Sequence, residues 1–474
     1  MSERLLLEGE AAKKKWKKGR DVWNQWVNEN PEADVSFASV DFDDIDCVAD
    51  PRLNREFNFS RYRFPKGNVK FSGAKFGEGN INFSGANFGE GNVDFSGANF
   101  GKGNVNFSGA NFGEGNVNFS SANFDEGVVN FSGANFGEGN VDFSRANFGE
   151  GVVDFASANF GEGVVHFIGA NFGAKYVIFT NVNFGVGYVI FYGTNFGKGD
   201  VDFSGANFGE GVVDFNRTKF EGETVNFALL KITGDAQFTN ILVSQNCEIF
   251  SFHKATFDGP FSLSYELVNG TPEDSPRQYA EMNFITDLIG TKTSHHVNLH
   301  NLYCKPKFAK NFFFNTAKDI DDAARLGRLK ELAESNKDHE SALRFHADEM
   351  RVKRWIKTPM MASILDFMFD KMSNYGQSIL KPSCWLICMF LLILVVSFYG
   401  TPFDSKMFNH LGNAINLSLS KTIPFVSGLV IEGKDAAKEL GLSGGRKALI
   451  NLLSVFSYIC LFLIGLGLRN RFRI

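Results

Sequence analysis

Phenylalanine recurs at every twelfth position through the first half of the chain, in two interleaved series. One series runs from Phe71 to Phe227 and the other from Phe76 to Phe220. Two positions before each Phe the chain usually has Ala or Val, and polar residues lie between them. In an extended strand, such alternation puts the apolar residues on one side and the polar residues on the other. A short fixed period predicts a solenoid, whose repeats bury their apolar side chains by stacking on one another.

The repeat resembles the pentapeptide-repeat family, in which a small residue precedes a central Leu or Phe by two positions. Residues 98–102 (Ala-Asn-Phe-Gly-Lys) and 110–114 (Ala-Asn-Phe-Gly-Glu) match that motif. The resemblance covers residues 35–257 and implies a right-handed quadrilateral β-helix with four short faces per coil. Here two extra residues, such as Gly91 and Asn92, follow every second pentapeptide, and we interpret them as bulged corners.

Two coil lengths are compatible with this period. A quadrilateral coil takes two of the twelve-residue units, whereas a flattened coil takes one unit and sets Phe opposite Ala or Val across two sheets. With coils about 4.8 Å apart, the first makes the segment from Phe71 to Phe227 about 30–35 Å long, and the second about twice that. We favour the 24-residue coil because a two-residue Ser-Gly link turns a square corner more easily than it reverses a strand.

Residues 3–30 are predicted to form a helix that caps the open edge of the first coil. Its tryptophans, Trp16, Trp23 and Trp26, suit hydrophobic capping better than ligand binding. Similar pentapeptide-repeat proteins enter the first coil through a helix with a Trp-Asn-x-Trp stretch, which here is Trp23-Asn24-Gln25-Trp26. The fold class is therefore mixed. The predicted domains are an N-terminal capping helix (1–34), the solenoid (35–265), an irregular connector (266–317), cytoplasmic and interfacial helices (318–380), and a two-span membrane module (381–474).

Aromatic and aliphatic residues replace outward polar residues between positions 174 and 192 of the solenoid. An exposed apolar patch usually marks a contact surface. We therefore predict self-association, or docking of a protein partner, through this interaction patch: Tyr176, Ile178, Tyr188, Ile190 and Tyr192.

Glutamate recurs at what we take to be one corner of the coil, from Glu78 to Glu210, and Lys102 and Lys198 interrupt the series. Some pentapeptide-repeat proteins mimic DNA with an acidic surface. We interpret this row instead as a solubilising edge. With a net charge of only −5 over 474 residues, we predict no nucleic acid partner.

Residues 382–403 and 448–468 are uncharged apolar segments, each long enough to cross a bilayer as a helix. Basic residues flank these segments at 353–357, Lys381 and 469–473. Arg446 and Lys447 directly precede the second segment and slightly weaken this charge asymmetry. The positive-inside rule then predicts a multi-pass protein of the bacterial inner membrane with both termini in the cytoplasm. Before the first span, residues 318–356 are predicted to form one long helix and residues 360–372 an interfacial helix.

Residues 407–423, between the spans, have helical periodicity and are followed by a turn with Pro and Gly at 424–428. A two-span pore-loop channel has the same order of elements: a first span, a short helix, a turn and a second span. Residues 463–473 are similar to the ending of a channel-like module in some pentapeptide-repeat membrane proteins. The Gly-Tyr-Gly core of a potassium filter is absent, so potassium selectivity is not implied. The pore-lining candidates are Asn409, Asn413, Asn416, Ser420 and Thr422.

Two functions follow from this organisation. The first is a homo-oligomeric protein that conducts ions or permeabilises the membrane, with the solenoid as a sensor or assembly domain, because two spans cannot enclose a pore alone. The alternative is a membrane-anchored interaction scaffold without conduction. An enzyme is not predicted, since the only strings resembling GxGxxG are corner glycines of the repeat. We expect no catalytic residue, no metal site, no cofactor and no disulfide framework.

Overall fold

A computed structural model describes residues 4–42, 56–173, 175–267, 282, 284–299, 302–310, 314–399, 406–423 and 433–472. The chain forms two compact units. The first comprises Met1–Lys307 and Ala324–Ala342, and the second comprises Phe308–Ala323 and Leu343–Ile474.

The first unit is a parallel β-solenoid of about ten coils. Val93 pairs with Val117, and Val117 with Val141, so equivalent positions in neighbouring coils are 24 residues apart. The 24-residue coil is therefore correct and the flattened 12-residue coil is wrong. Each coil carries four parallel ladders, two of short strands and two of single bridged residues with a turn on either side, such as Asn99 with Asn123.

The two strand ladders form the first face and the second face of the solenoid. The first face consists of strands at Leu6–Glu8, Asp34–Ser36, Val69–Lys70, Val93–Asp94, Val117–Asn118, Val141–Asp142, Val165–His166, Val189–Ile190, Val213–Asp214, Lys219–Phe220, Ala236–Val243, Phe261–Leu267 and Val297–Asn298. The second face consists of strands at Glu56–Asn58, Asn80–Asn82, Val105–Asn106, Val129–Asn130, Val152–Asp154, Tyr176–Ile178, Asp200–Asp202, Thr224–Asn226 and Ile249–Ser251. A third ladder becomes a sheet late in the chain, at Asn207–Phe208, Lys231–Ile232, Thr256–Phe257 and Lys292–Thr293.

Phenylalanine rings fill the space between the two faces. Phe95 stacks on Phe119 of the next coil, with ring centroids 4.8 Å apart and planes 1° from parallel. It also meets Phe107, from the opposite face, edge to face at 5.4 Å. All three side chains are fully buried. Burying each ring stabilises the fold by about 1.5–3 kcal/mol, and the edge-to-face contacts add about 0.5–1.5 kcal/mol.

Glycine is required where the corners of successive coils approach each other. A Cβ atom on Gly113 would lie 1.7 Å from the carbonyl oxygen of Gly89, and the Gly113 φ angle is +78°. Gly97 also has a positive φ, but a Cβ there would have nothing within 4 Å. The positions equivalent to Gly97 in the next two coils are Ser121 and Arg145, both with φ of 57°. The Gly113 column is glycine in every coil from Gly89 to Gly209, whereas the Gly97 column accepts side chains. The equivalent close corner in the other half of the coil accepts a non-glycine residue, Asp125, with φ of 50°.

The N-terminal segment contains a strand and two helices, so the prediction of a single helix over 3–30 is wrong. The strand pairs with Asp34–Ser36 and extends the first face by one rung. Helix α1 covers Gly9–Trp16 and α2 covers Arg20–Glu29, separated by Gly19 at φ 93°. Trp16 stacks on Phe59 at 4.9 Å, and the Trp23 indole N–H donates to the Arg63 carbonyl oxygen at 2.8 Å.

The solenoid continues past residue 265, the boundary predicted from the repeat. Its last rungs are Lys292–Thr293 and Val297–Asn298, so part of the expected connector belongs to the solenoid. The sequence also predicts a loop at 269–276 within this connector, and those residues lie outside the described part of the chain. A short antiparallel pair, Phe308–Lys310 with Asn315–Ala317, follows.

The long helix predicted over 318–356 is two helices. Helix α3 covers Asp322–Ser335 and α4 covers His339–Lys353. Lys337 between them has a left-handed backbone, with φ 60°. Asn336 donates to the Val297 carbonyl oxygen, and the Asp338 carboxylate accepts from the Ser341 N–H at 3.0 Å. An Asp that caps the first turn explains why a new helix begins here.

The remaining helices belong to the second unit. They are α5 (Met360–Ser373), α6 (Leu380–Phe398), α7 (Met407–Thr422), α8 (Gly433–Glu439) and α9 (Gly444–Arg471). Helix α5 leaves much of its apolar surface exposed, including Met361 and Leu365. Two of these helices, α6 and α9, are long and apolar enough to cross a membrane.

Replacing Phe131 by Ala should lower the local unfolding free energy of the central coils by about 3–5 kcal/mol, because its ring stacks on Phe107 and Phe155, both at 4.9 Å. Hydrogen exchange of the coil amides in the detergent-solubilised full chain measures this. The neighbouring Ser132→Ala variant is the control and should change it by less than about 0.5 kcal/mol. A loss under about 1 kcal/mol for Phe131→Ala would contradict a ring-stacked core.

Ala at Gly113 should be more destabilising than Ala at Gly97, although both glycines have positive φ. Both variants bear the left-handed backbone cost of about 1–2 kcal/mol. Only Gly113→Ala also forces a Cβ against a backbone oxygen, adding about 1–3 kcal/mol of overpacking. Thermal unfolding of the two full-length variants, compared side by side, checks this. Equal losses would mean that the coils can separate locally at little cost.

Candidate functional site

Helices α6 and α9 form an antiparallel hairpin. At one end the Asn470 side chain donates to the Gly376 carbonyl oxygen at 3.1 Å, and at the other Arg446 donates to the Tyr399 carbonyl oxygen. Packing near the first end is tight, because a Cβ on Gly467 would lie 3.0 Å from Ile379 Cγ1 and the Ile379 side chain would have to shift slightly. Only 17% of the most apolar stretch of α6 and 28% of that of α9 is buried, whereas the core helix of a soluble protein would be mostly buried.

Helix α7 packs alongside this hairpin. Ala414 and Leu417 of α7 form a buried cluster with Ile393 of α6, Ile450 of α9 and residues of α8. At the end of α7, the Ser454 hydroxyl donates to the Lys421 carbonyl oxygen at 2.7 Å. Ser454 lies six residues, about 9 Å, inside the apolar segment that begins at position 448. The C-terminal end of α7 is therefore level with the apolar part of α9.

Four of the five pore-lining candidates share one side of α7. At about 100° per residue, Asn409, Asn413, Asn416 and Ser420 fall within an arc of about 60°. Asn409 is exposed and the others are half-buried. Thr422 points away from this stripe, is 2% exposed, and has a hydroxyl without a partner among the described residues. The structure therefore groups the first four and separates Thr422 from them.

The stripe is tied to a helix that the sequence did not predict. The Asn413 side-chain amide donates to the Glu439 carboxylate of α8 at 2.5 Å. The Ser420 hydroxyl donates to the Leu417 carbonyl oxygen of its own helix at 2.9 Å. The turn expected at 424–428 lies outside the described residues. Ser454 was missed because a single Ser in an apolar helix is common and its partner is a backbone oxygen.

A buried ionic cluster joins α4 to α5 and to the turn before α6. Arg354 donates to Asp366 at 2.6 Å, to Asp370 at 3.0 Å and to the Tyr375 hydroxyl at 2.7 Å. Arg351 donates to Asp370 at 2.7 Å. We call Arg351, Arg354, Asp366, Asp370 and Tyr375 the α4–α5 ionic cluster. Arg354, which belongs to the basic membrane flank expected at 353–357, is thus paired with carboxylates.

The charges of this cluster shift its acid–base equilibria. Burial alone would raise the pKa of Asp370, but hydrogen bonds and charge from Arg351 and Arg354 outweigh it and hold that pKa below its ordinary value. Burial raises the pKa of Tyr375, and its contact with Asp366 adds to the shift. Asp370 and both guanidinium groups are therefore charged at neutral pH.

The five residues of the predicted interaction patch do not form one surface. Tyr176 and Ile178 lie in a strand of the second face of the solenoid. Ile190 lies in a strand of the first face, with Tyr188 directly before that strand and Tyr192 two residues after it. The reason is the coil length, because positions one repeat unit apart occupy opposite faces of a two-unit coil. The three tyrosines are between 37% and 53% exposed and the two isoleucines are half-buried.

The predicted row of glutamates also divides between two corners. One row borders a groove of about 890 Å³, with an asparagine at each coil and glycine backbone between them. Lys66 pairs with Glu90 at 2.9 Å at one end of this row, and Lys102 pairs with Glu126 at 3.6 Å in the other row. Within the described part of the chain, no three His, Cys, Asp or Glu side chains are grouped closely enough to hold a metal.

Comparisons with models of known protein families, with curated proteins and with solved structures returned no match. The function therefore has to be inferred from the chain's own residues and geometry.

Replacing Asp370 by Asn should destabilise the second unit by about 3 kcal/mol at neutral pH, because it leaves two buried guanidinium groups underpaired. The lowered pKa means that the contribution of Asp370 is present above the ordinary carboxyl pKa of 3.8 and is lost as pH falls through its lower folded value. Thermal unfolding of the wild type and variant in detergent, between pH 3 and 7, measures the difference.

The control is Glu331→Gln, which removes the exposed pair with Arg328 and should cost less than about 1 kcal/mol. A difference between wild type and Asp370→Asn that stays constant as the carboxyl protonates would show that the charge is not what stabilises α4 against α5.

Proposed function

We propose that this protein is a homo-oligomeric, ion-conducting or permeabilising protein of a bacterial inner membrane, with a pentapeptide-repeat solenoid as its cytoplasmic sensor or assembly domain. The solenoid is a right-handed quadrilateral β-helix capped at its N-terminus. Four ladders per coil support the quadrilateral form. The contacts of Trp16 and Trp23 with the first coils support the cap.

One observation carries the proposal of conduction, namely the depth of the end of α7. The helix ends at Thr422 and the next residue, Ile423, has an extended backbone. By its bond to Ser454, this end lies about 9 Å inside the apolar segment of α9. Non-helical backbone at membrane depth is tolerated only when protein covers it or water reaches it. A plain two-helix anchor has no need of such a segment, whereas a pore loop consists of one.

Oligomerisation follows from the small number of spans. Two helices cannot enclose a path for ions, and most of the apolar surface of α6 and α9 is unburied within one chain. Several copies around an axis would turn the stripe of Asn409, Asn413, Asn416 and Ser420 towards a shared lumen. Neutral amides and hydroxyls can replace part of an ion's hydration shell.

The proposed orientation places the paired ends of α6 and α9 in the cytoplasm. Lys381 begins the first span and Arg469 and Arg471 end the second, all on the same side of the hairpin. Because Arg354 is paired with carboxylates, it adds less to this bias than the sequence suggested.

A membrane-anchored scaffold is the second candidate function, favoured by the first face of the solenoid. Tyr188 is 53% exposed and Tyr192 is 39% exposed, next to half-buried Ile190. Tyrosine is enriched at the centre of protein interfaces. A scaffold would bind its partner here and would keep that activity if both spans were exchanged for unrelated apolar helices.

Reconstituted full-length protein should release trapped ions from liposomes, and Asn416→Leu should abolish that flux because it places an apolar side chain in the middle of the polar stripe. Dye-based flux assays and single-channel recording both measure it. The control is Val455→Leu on the exposed side of α9, which should leave conduction unchanged.

The oligomeric state in detergent should be the same for all three proteins. A stable, correctly inserted oligomer without conductance would remove the channel proposal and favour the scaffold. Full conduction by Asn416→Leu would show that another surface lines the path.

A further inference from the structure

Lys421 is the only acidic or strongly basic residue of α7, in its last turn. Its ammonium donates to the Asn451 side chain of α9 at 3.0 Å, while its own carbonyl oxygen accepts from Ser454. These two bonds, one turn apart on α9, hold the residue at both its backbone and its charged end. Because Asn451 is neutral, the bond orients the positive charge without cancelling it. Among the side chains that the structure describes in α7, α8 and α9 (residues 406–423 and 436–472), no carboxylate forms an ion pair with Lys421.

The surroundings of Lys421 indicate which side of the helices faces away from lipid. Asn451 is exposed and Lys421 is half-buried within a single chain. Asn451 lies three residues, about 4–5 Å, inside the apolar segment that begins at position 448. Polar and charged groups at such depth face a bundle interior or a water-filled cavity, since exposure to hydrocarbon is costly. The surface carrying Lys421 and Asn451 must therefore face water or another subunit.

The same surface borders the polar stripe of α7. Lys421 follows Ser420 directly and lies about 100° further round the helix, on the edge towards α9. If Asn416 and Ser420 line a path, the ammonium of Lys421 stands beside that path at the C-terminal end of α7. In an oligomer, symmetry then produces a ring of lysines.

The sign of the electrostatic field at the C-terminal end of α7 follows from comparing the helix dipole with the charge of Lys421. The C-terminal end of α7 carries a dipole equivalent to about −0.5 of an elementary charge, which alone would favour cations. The ammonium contributes a full positive charge within the same turn and so reverses the sign. Rings of lysine or arginine select anions in pores.

We propose that Lys421 sets the charge selectivity of the module, and that the conducted species are small monovalent anions. This inference rests on the proposed conduction but goes beyond it, because the polar stripe alone is neutral and fixes no charge preference.

The test uses purified full-length protein in planar bilayers or liposomes under a potassium chloride gradient, with the reversal potential as readout. Wild type should reverse towards the chloride equilibrium potential. Lys421→Arg should retain that sign, Lys421→Gln should move the reversal potential towards zero, and Lys421→Glu should invert its sign. Lys447→Glu is the control, because it makes the same charge change at an exposed position of the first turn of α9 and should preserve the anion preference.

The outcomes separate this inference from the proposed function. Absence of conductance in the wild type contradicts conduction itself. A cation-selective wild type, or a Lys421→Glu variant that conducts with unchanged sign, overturns only the role of Lys421. If Lys421→Glu fails to assemble, the Gln variant decides: an anion preference equal to wild type in Lys421→Gln, at unchanged oligomeric state, overturns the proposal.

Discussion

The stacking of each phenylalanine ring on its equivalent in the next coil is the interaction on which the solenoid depends. Rings such as Phe83 and Phe107 lie 4.8 Å apart and parallel, which is the spacing of neighbouring strands. Because backbone ladder and ring stack share this spacing, the coil length is tightly constrained. On the first face, all pairings from Val69 to Val213 have the same sequence offset. Val35 pairs with Val69 across a longer stretch of chain, and Val213 with Ala236 across a slightly shorter one, so changes of length are confined to the ends.

The same constraint distinguishes positions where the stack restricts the residue type from positions where the residue type can vary. Most inward positions hold Val, Ala or Phe, and most close corners hold Gly. The exceptions include Thr194 and Thr218, which are buried inward, and Asp125, which occupies a close corner. One outward column of the first face, in contrast, holds Asp142, His166, Ile190 and Asp214 in successive coils. Nothing in the stack requires an apolar residue there. The stack therefore does not require the exposed Tyr188 and Tyr192, and a contact surface there stays a prediction.

The sequence predicted the solenoid, its interior residues and the two long apolar helices, because these follow from periodicity and length. It could not assign residues to faces with the coil length open, since a 12-residue repeat looks the same in both halves of a 24-residue coil. Because of this ambiguity, the sequence prediction placed Tyr176 and Tyr188 on one surface, and it placed two separate rows of glutamates at one corner. The break at Lys337 was missed because helical periodicity continues across it, although Asp338 was a visible capping residue. The depth of α7 depends on Ser454 bonding to a backbone oxygen, which residue types alone do not reveal.

Two groups of polar side chains in the second unit differ in how many of their hydrogen-bonding atoms have a partner. This difference distinguishes polar groups that stabilise the fold from polar groups that remain available for a function. In the α4–α5 ionic cluster, both carboxylates, both guanidinium groups and the Tyr375 hydroxyl bond to one another. At the end of α7, by contrast, the buried hydroxyl of Thr422 has no partner among the described residues. Buried polar groups are rarely left unpaired. The ionic cluster is therefore explained by contacts within one chain, whereas the Thr422 hydroxyl has bonding capacity that the described residues do not fill.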